Sequence, residues 1–334
     1  MKCLATISAA CVLFFSVIVS AATAEPAKPG RPIAHKIAHG SEITAANVGP
    51  AAAGFGNLKQ FEGGEIKDGN TYPFVTEIAV STNYDGFEVK GPHRLIECAA
   101  FSKSLDISTT LPVVMRGSSV RAATASPWAV LVRPGAGAFY FLWSDAGALT
   151  TDGAPNDRSH AMSGALQLRG PQAVVFRSHI SKTSDGIDVS GSAAVVQETL
   201  IDELTAWAGD HNDGIQIAVS DAANGAKVRR QIQVVRSKIL NPNPQTSGLY
   251  ILGDGVTLRD NFFAGGGWTI YGGAKSNGHG GASSASVTAS NNIFGRGYFP
   301  KSGHFGPVTY WDKSPALANT WTDNRFEDGK PVTP

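Results

Sequence analysis

From about residue 160 onward, apolar and polar residues alternate in short runs that close on a large apolar side chain. The segment Ala173-Val174-Val175-Phe176-Arg177-Ser178-His179-Ile180 sets the pattern, and it recurs over 194–201, 232–239, 256–263, 287–294 and 319–326. The closing residues Ile180, Ile201, Ile239, Phe263, Phe294 and Phe326 stand 21, 38, 24, 31 and 32 positions apart. A shorter motif falls between the copies: Leu166-Gln167-Leu168, Ile187-Asp188-Val189, Ile215-Gln216-Ile217, Leu249-Tyr250-Ile251 and Trp268-Thr269-Ile270. Two strand motifs in strict alternation predict coils of variable loop length, each giving one strand to each of at least two parallel sheets. Because side chains alternate along a strand, the flanking apolar residues point inward. Gln167, Asp188, Gln216, Tyr250 and Thr269 then form an outward column. The class is all-β, a parallel solenoid; a β-sandwich or jelly roll is the alternative reading of short strands.

Before residue 160 the register is weaker. Strands are expected around Ile66, and at 74–80, 87–89, 113–115, 129–132 and 139–143. Helical periodicity is confined to two brief stretches, 44–53 and 198–207, too short to define a domain.

Composition agrees with many tight turns, since 38 of 334 residues are glycine, above the roughly 7% of average usage. With 28 basic and 27 acidic residues the net charge is +1. That balance offers no footprint for nucleic acid and no polybasic patch for a membrane surface.

The N-terminus carries Lys2, an apolar stretch over 10–19, and the small triplet Ala22-Thr23-Ala24. This is the pattern of a secretory signal peptide over 1–24, cut after Ala24. A lipoprotein signal fits poorly because Cys11 begins the apolar stretch instead of following it. A retained anchor fits poorly because the stretch falls short of the roughly 20 residues of a span. The expected mature protein is secreted or periplasmic, soluble and monomeric, with a proline-rich lead and cap over 25–59. Cys98 would be its one cysteine, read as a core residue in the apolar run 95–101.

Asparagine-containing strand ends recur at Arg259-Asp260-Asn261-Phe262, Ser290-Asn291-Asn292-Ile293 and Asp323-Asn324-Arg325-Phe326. With His211-Asn212-Asp213-Gly214-Ile215-Gln216 and Gly265-Gly266-Gly267-Trp268-Thr269-Ile270-Tyr271, the chain resembles the pectin-lyase-like superfamily. The resemblance implies a single-stranded right-handed parallel β-helix over 60–334. For function it is loose, because that superfamily holds lyases, hydrolases, epimerases and adhesins. Asn212-Asp213 and Gly278-His279-Gly280 echo two polygalacturonase motifs, but the adjacent aspartate pair and the basic motif are missing. The Asp-Pro-His of alginate epimerases is missing too, as is the usual tryptophan segment of pectate lyases.

The strongest polar constellation is the run 208–216, which leads into an outward glutamine. Asp185 and Asp213 each stand two residues before an inward isoleucine, so successive coils bring them together. Two carboxyl groups at strand spacing, about 4.8 Å, can raise one pKa and act as an acid/base pair, or bind a divalent cation such as calcium. The ordinary reading of each is Asp-Gly turn chemistry. On an acidic, uronate-containing polysaccharide, a lyase would use His211 as base, with Arg236, Arg177, Lys182 or Arg259 neutralising the enolate. A hydrolase would use Asp188 and Asp213. Gln167, Gln216, Tyr250, Tyr271 and Lys182 are the expected substrate contacts. Tyr250 and Tyr271 are expected outward and Trp268 inward. A non-catalytic glycan-binding solenoid is the reading from another class.

Overall fold

The computed structural model describes residues 36–122, 127–149, 162–207, 209–218, 231–274 and 283–334. The signal segment 1–24 and Gly278-His279-Gly280 lie outside the described residues. The described chain is nearly all β, with long parallel sheets. Three sheets of ten, nine and ten strands receive successive strands in rotation. Sheet A includes Asp145–Ala148, His179–Ser181, Leu200–Asp202 and Phe262–Gly265; sheet B includes Trp128–Val132, Gly164–Leu168, Asp185–Val189, Asp213–Ala218, Ser247–Leu252 and Trp268–Tyr271. Sheet C includes Phe139–Leu142, Gln172–Phe176, Ala193–Gln197 and Gln231–Val235. Among the described residues, antiparallel pairing is found at the start, where Thr76–Ile78 meets His93–Glu97 and Thr82–Tyr84 meets Phe87–Val89, and in a single bridge between Arg325 and Pro331 at the end. This rotation is compatible with a solenoid.

The longer repeat is two strands, not one. Gln172–Phe176 belongs to sheet C and His179–Ser181 to sheet A, separated by Arg177 in the left-handed region at φ 46°. The same station is occupied by Cys98, Gly117, Trp143, Glu198, Arg236, Asp260, Asn291 and Asp323, all with φ between 46° and 59°. Left-handed backbone costs a side-chain-bearing residue roughly 1–2 kcal/mol. At every station but Cys98, which Ala99 follows, the next residue offsets that cost. Ser118, Ser144, Ser178, Thr199, Ser237, Asn261, Asn292 and Asn324 each accept the backbone N–H of the matching residue one rung earlier, at 2.9 to 3.5 Å. The recurrent asparagines are the last members of this buried ladder.

Register follows the repeat. Ile180, Ile201, Ile239, Phe263 and Phe294 stack in sheet A; Leu166, Ile187, Ile215, Leu249 and Ile270 stack in sheet B; Val175, Val196, Val234 and Leu258 stack in sheet C. All are buried in one core, at about 1.5–3 kcal/mol for each large aliphatic or aromatic side chain.

Three expectations are corrected. Cys98 is half-buried at a left-handed turn, outside the main core. The fifth copy of the short motif is slipped by two residues: Tyr250 pairs with Tyr271, while Thr269 is buried and hydrogen-bonded to the Ser302 hydroxyl at 2.9 Å. Trp268 does not enter the core; it lies partly exposed across Gly306, 6.2 Å from the Phe305 ring. Of the two helical stretches, 44–53 holds the single turn Gly49–Ala52, and 198–207 holds the strand Leu200–Asp202.

The segment before sheet A runs along the left-handed turns. Gly40 N–H donates to the Asp260 carbonyl, Gly49 N–H to that of Arg177 and Lys59 N–H to that of Cys98, at 2.7, 2.8 and 2.9 Å. Ile37, Ile43 and Val48 form their own cluster with Leu200. Among the described residues, no helix is long and apolar enough to cross a membrane.

Candidate functional site

The site lies where the chain turns from sheet A into sheet B. The first residues of successive sheet B strands form a column that runs Trp128, Gly164, Asp185, Asp213, Ser247, Trp268, Gly306. Glycine follows both aspartates for a packing reason. A Cβ on Gly186 would strike the Gly214 carbonyl and the Ile201 side chain, and one on Gly214 would strike Gly248 and Ile239. The Asp-Gly pairs are therefore imposed by the close approach of the rungs as well as by turn chemistry.

Within the column, Asp213 N–H donates to Asp185 Oδ1 at 2.8 Å, and the Ser247 hydroxyl donates to Asp213 Oδ1 at 2.5 Å. The Ser184 hydroxyl donates to the Asp210 carboxylate. Asp213 is buried at 1% exposure, whereas Asp185 remains partly open. Burial pushes the Asp185 carboxyl well above the ordinary carboxylate range, and the Asp213, Asp210 and Asp188 charges push it further. Burial also raises Asp213, and its hydrogen bonds from Ser247 pull the other way. The two titrate as a unit, and burial holds both carboxyls above the ordinary carboxylate range.

Three places further along the strands stands the outward column Gln167, Asp188, Gln216, Tyr250, Tyr271. Asp188 accepts from Gln167 Nε2 at 3.2 Å and from the Ser190 hydroxyl at 2.6 Å. Tyr250 and Tyr271 lie outside the core clusters with ring centroids 5.4 Å apart, and Tyr271 stacks on Tyr310 at 5.8 Å. Tyr250 is nevertheless covered, at 5% exposure, while Tyr310 is open. Burial pushes both the Tyr250 and Tyr271 hydroxyls up.

The sequence-derived residues divide into those that converge and those that do not. Asp185, Asp213 and Asp188 share this corner; His211 is exposed on the loop entering it, and Lys182 is half-exposed on the turn before Asp185. Arg236, expected to neutralise charge at the site, is instead at the turn between sheets C and A. There its guanidinium and that of Arg177 grip Glu198 at 2.9 and 2.6 Å, with Arg177 4.9 Å above the Trp143 ring. Arg259 is paired with its neighbour Asp260. Asp210 stood in the polar run without a role, and Ser247 was missed; its signal is the glycine after it, which places it in register with Asp213. Among the described residues, no group of three or more His, Cys, Asp and Glu side chains is placed to hold a metal ion.

Comparisons with protein-family models, with curated proteins and with solved structures gave no match. What the site can do chemically therefore rests on its groups alone. A partly open carboxyl whose pKa is raised by burial beside a second carboxyl is suited to deliver a proton to a substrate oxygen.

Proposed function

We infer that this chain is an exported, pectin-lyase-like right-handed parallel β-helix that cleaves an acidic polysaccharide at the sheet B corner, by hydrolysis. The observation that carries the reading is the Asp185/Asp213 pair on adjacent rungs, Asp213 buried and Asp185 partly open, with burial and the neighbouring charges raising the Asp185 carboxyl. Asp185 gives its proton to the glycosidic oxygen. Asp213, buried beneath it, is a positioning residue that keeps that proton in place. Asp188 is the second carboxylate, held by Gln167 and Ser190. It lies three residues along the same strand, about 10 Å from Asp185 at the backbone. That spacing suits an inverting pair, whose carboxyl groups stand about 6.5–9.5 Å apart around a water. Elimination is less well supported, because Arg236 and Arg177 are engaged with Glu198 on another face. His211, exposed at the loop, is what favours it.

The test is incubation of the mature protein with a panel of uronate polymers, with and without calcium, reading both reducing ends and the absorbance of unsaturated products. New reducing ends without unsaturation are expected. Unsaturated products would replace hydrolysis by elimination, and glycan binding with neither product would leave a non-catalytic binder.

A further inference from the structure

Among the described residues, arginines that are not exposed are, with one exception, ion-paired. Arg94 meets Glu77, Arg116 meets Asp85 and Glu97, Arg177 and Arg236 meet Glu198, and Arg296 meets Asp328, all at 2.6 to 2.9 Å. Arg121, on the outer face of sheet A, is the exception: among the described residues, no carboxylate pairs with it. Its Nη1 donates to the Ser181 hydroxyl at 2.9 Å and touches the Ser181 carbonyl oxygen at 3.4 Å. The side chain reaches Ser181 by crossing Gly147, where a Cβ would lie 2.7 Å from Nη1 and collide with that same carbonyl. Glycine therefore leaves the channel in which the guanidinium lies.

Burial pulls the Arg121 pKa down, yet a guanidinium keeps its charge in proteins. Asp145, Asp202 and Glu203 are near enough for their charges to oppose that shift, but none makes contact. Asp202 Oδ1 is already taken by His179 Nε2 at 2.7 Å. Among the described residues only Nη1 of the guanidinium is engaged, and neither Nε nor Nη2 is a buried atom without a partner, so the group keeps N–H donors open to a ligand. Its planar fork matches a carboxylate, which it grips with two parallel bonds. Ser181, where Arg121 ends, is four residues from Asp185, at most about 14 Å of chain. A short oligosaccharide spans that distance.

We propose that Arg121 binds the carboxylate of a uronate unit neighbouring the cleaved bond, a subsite that rests on the polysaccharide reading above. The probes are uronate trisaccharides (galacturonate, mannuronate and glucuronate), their methyl esters, and sodium sulfate, titrated calorimetrically into the Asp185→Asn protein so that nothing turns over. At least one acid trimer should bind about tenfold tighter than its ester. Adding Arg121→Gln should remove about that factor from the acid trimer and leave the ester unchanged. Arg121→Lys keeps the charge without the fork and should lose about threefold; it carries the test if the glutamine variant fails to fold. Equal losses for acid and ester, or no loss with either variant, would overturn the subsite alone. Sulfate binding tighter than every acid trimer would assign Arg121 to a free anion and overturn the uronate source. If no trimer binds in either form, the polysaccharide reading itself falls.

Discussion

The turn from sheet C to sheet A and the turn from sheet A to sheet B handle buried polar groups in opposite ways. The first repeats one device: a left-handed residue, then a hydroxyl or amide that accepts the N–H one rung back. The ladder's hydroxyls and amides are paired and neutral, and the turn's deeply buried carboxylate, Glu198, is held by two arginines. The second turn varies in length from rung to rung and stacks two carboxyl groups to which, among the described residues, no cation is paired. Repetition lets each rung satisfy the last, which is what stability requires. The irregular turn leaves charge frustrated, and frustrated charge in a partly open corner is what proton transfer requires.

If that division is right, the largest effect belongs to Asp185. Asp185→Asn should lower turnover of the polymer that proves to be the substrate by about 10²–10⁴-fold, the usual range for a general acid. Its unfolding transition should be unchanged or improved, because a frustrated carboxyl is removed. Activity within about threefold of the parent protein would move the chemistry elsewhere and erase the contrast between the turns.

Next comes the ladder. Asn261 is fully buried; it accepts from Ser237 N–H and donates to the Val234 carbonyl and Asn292 Oδ1. Asn261→Ala strands those partners and should cost about 3 kcal/mol in denaturant unfolding. Asn261→Ser should cost about 1 kcal/mol, because serine fills the same station at 118, 144, 178 and 237. A serine variant as weak as the alanine one would show that shape, not the passed-on hydrogen bond, holds the turn.

The regular turn was legible in the sequence and the irregular one only in part. Equal motifs predicted the stacking of Ile180, Ile201, Ile239, Phe263 and Phe294, because each closes a rung of the same shape. The third sheet was hidden: a two-residue turn at Arg177-Ser178 divides one apolar run without interrupting its pattern. Tyr271 was misregistered because the turn before it, Gly266-Gly267, carries no side chain to mark where the strand begins. The Asp185/Asp213 contact followed from matched positions relative to Ile187 and Ile215. Arg121 and Ser181 stand 60 residues apart, two rungs away across a glycine, and no local pattern joins them.

The pH dependence of stability separates the turns further. Asp185 and Asp213 have folded pKa values above the ordinary, unfolded value near 4. The folded state therefore binds more protons, and stability falls as pH rises. Their contribution is complete below about pH 4 and is lost as pH climbs through the raised folded values. Asp213→Asn should flatten the decline and add about 1–2 kcal/mol at pH 8. A slope unchanged by that substitution would place the frustration in other groups.

The smallest effect tests the left-handed station itself. Asp323 holds φ 54° at the last turn of the ladder, with its side chain exposed. Nothing packs there that a substitution would lose, so the backbone term stands almost alone. Asp323→Gly removes the steric penalty of left-handed backbone but adds freedom to the unfolded chain. Aspartate tolerates this region better than most residues, so the net gain should be only about 0.5 kcal/mol. A loss of 1 kcal/mol or more would mean that the Asp323 side chain holds the turn, and that the ladder's last rung is maintained by more than Asn324.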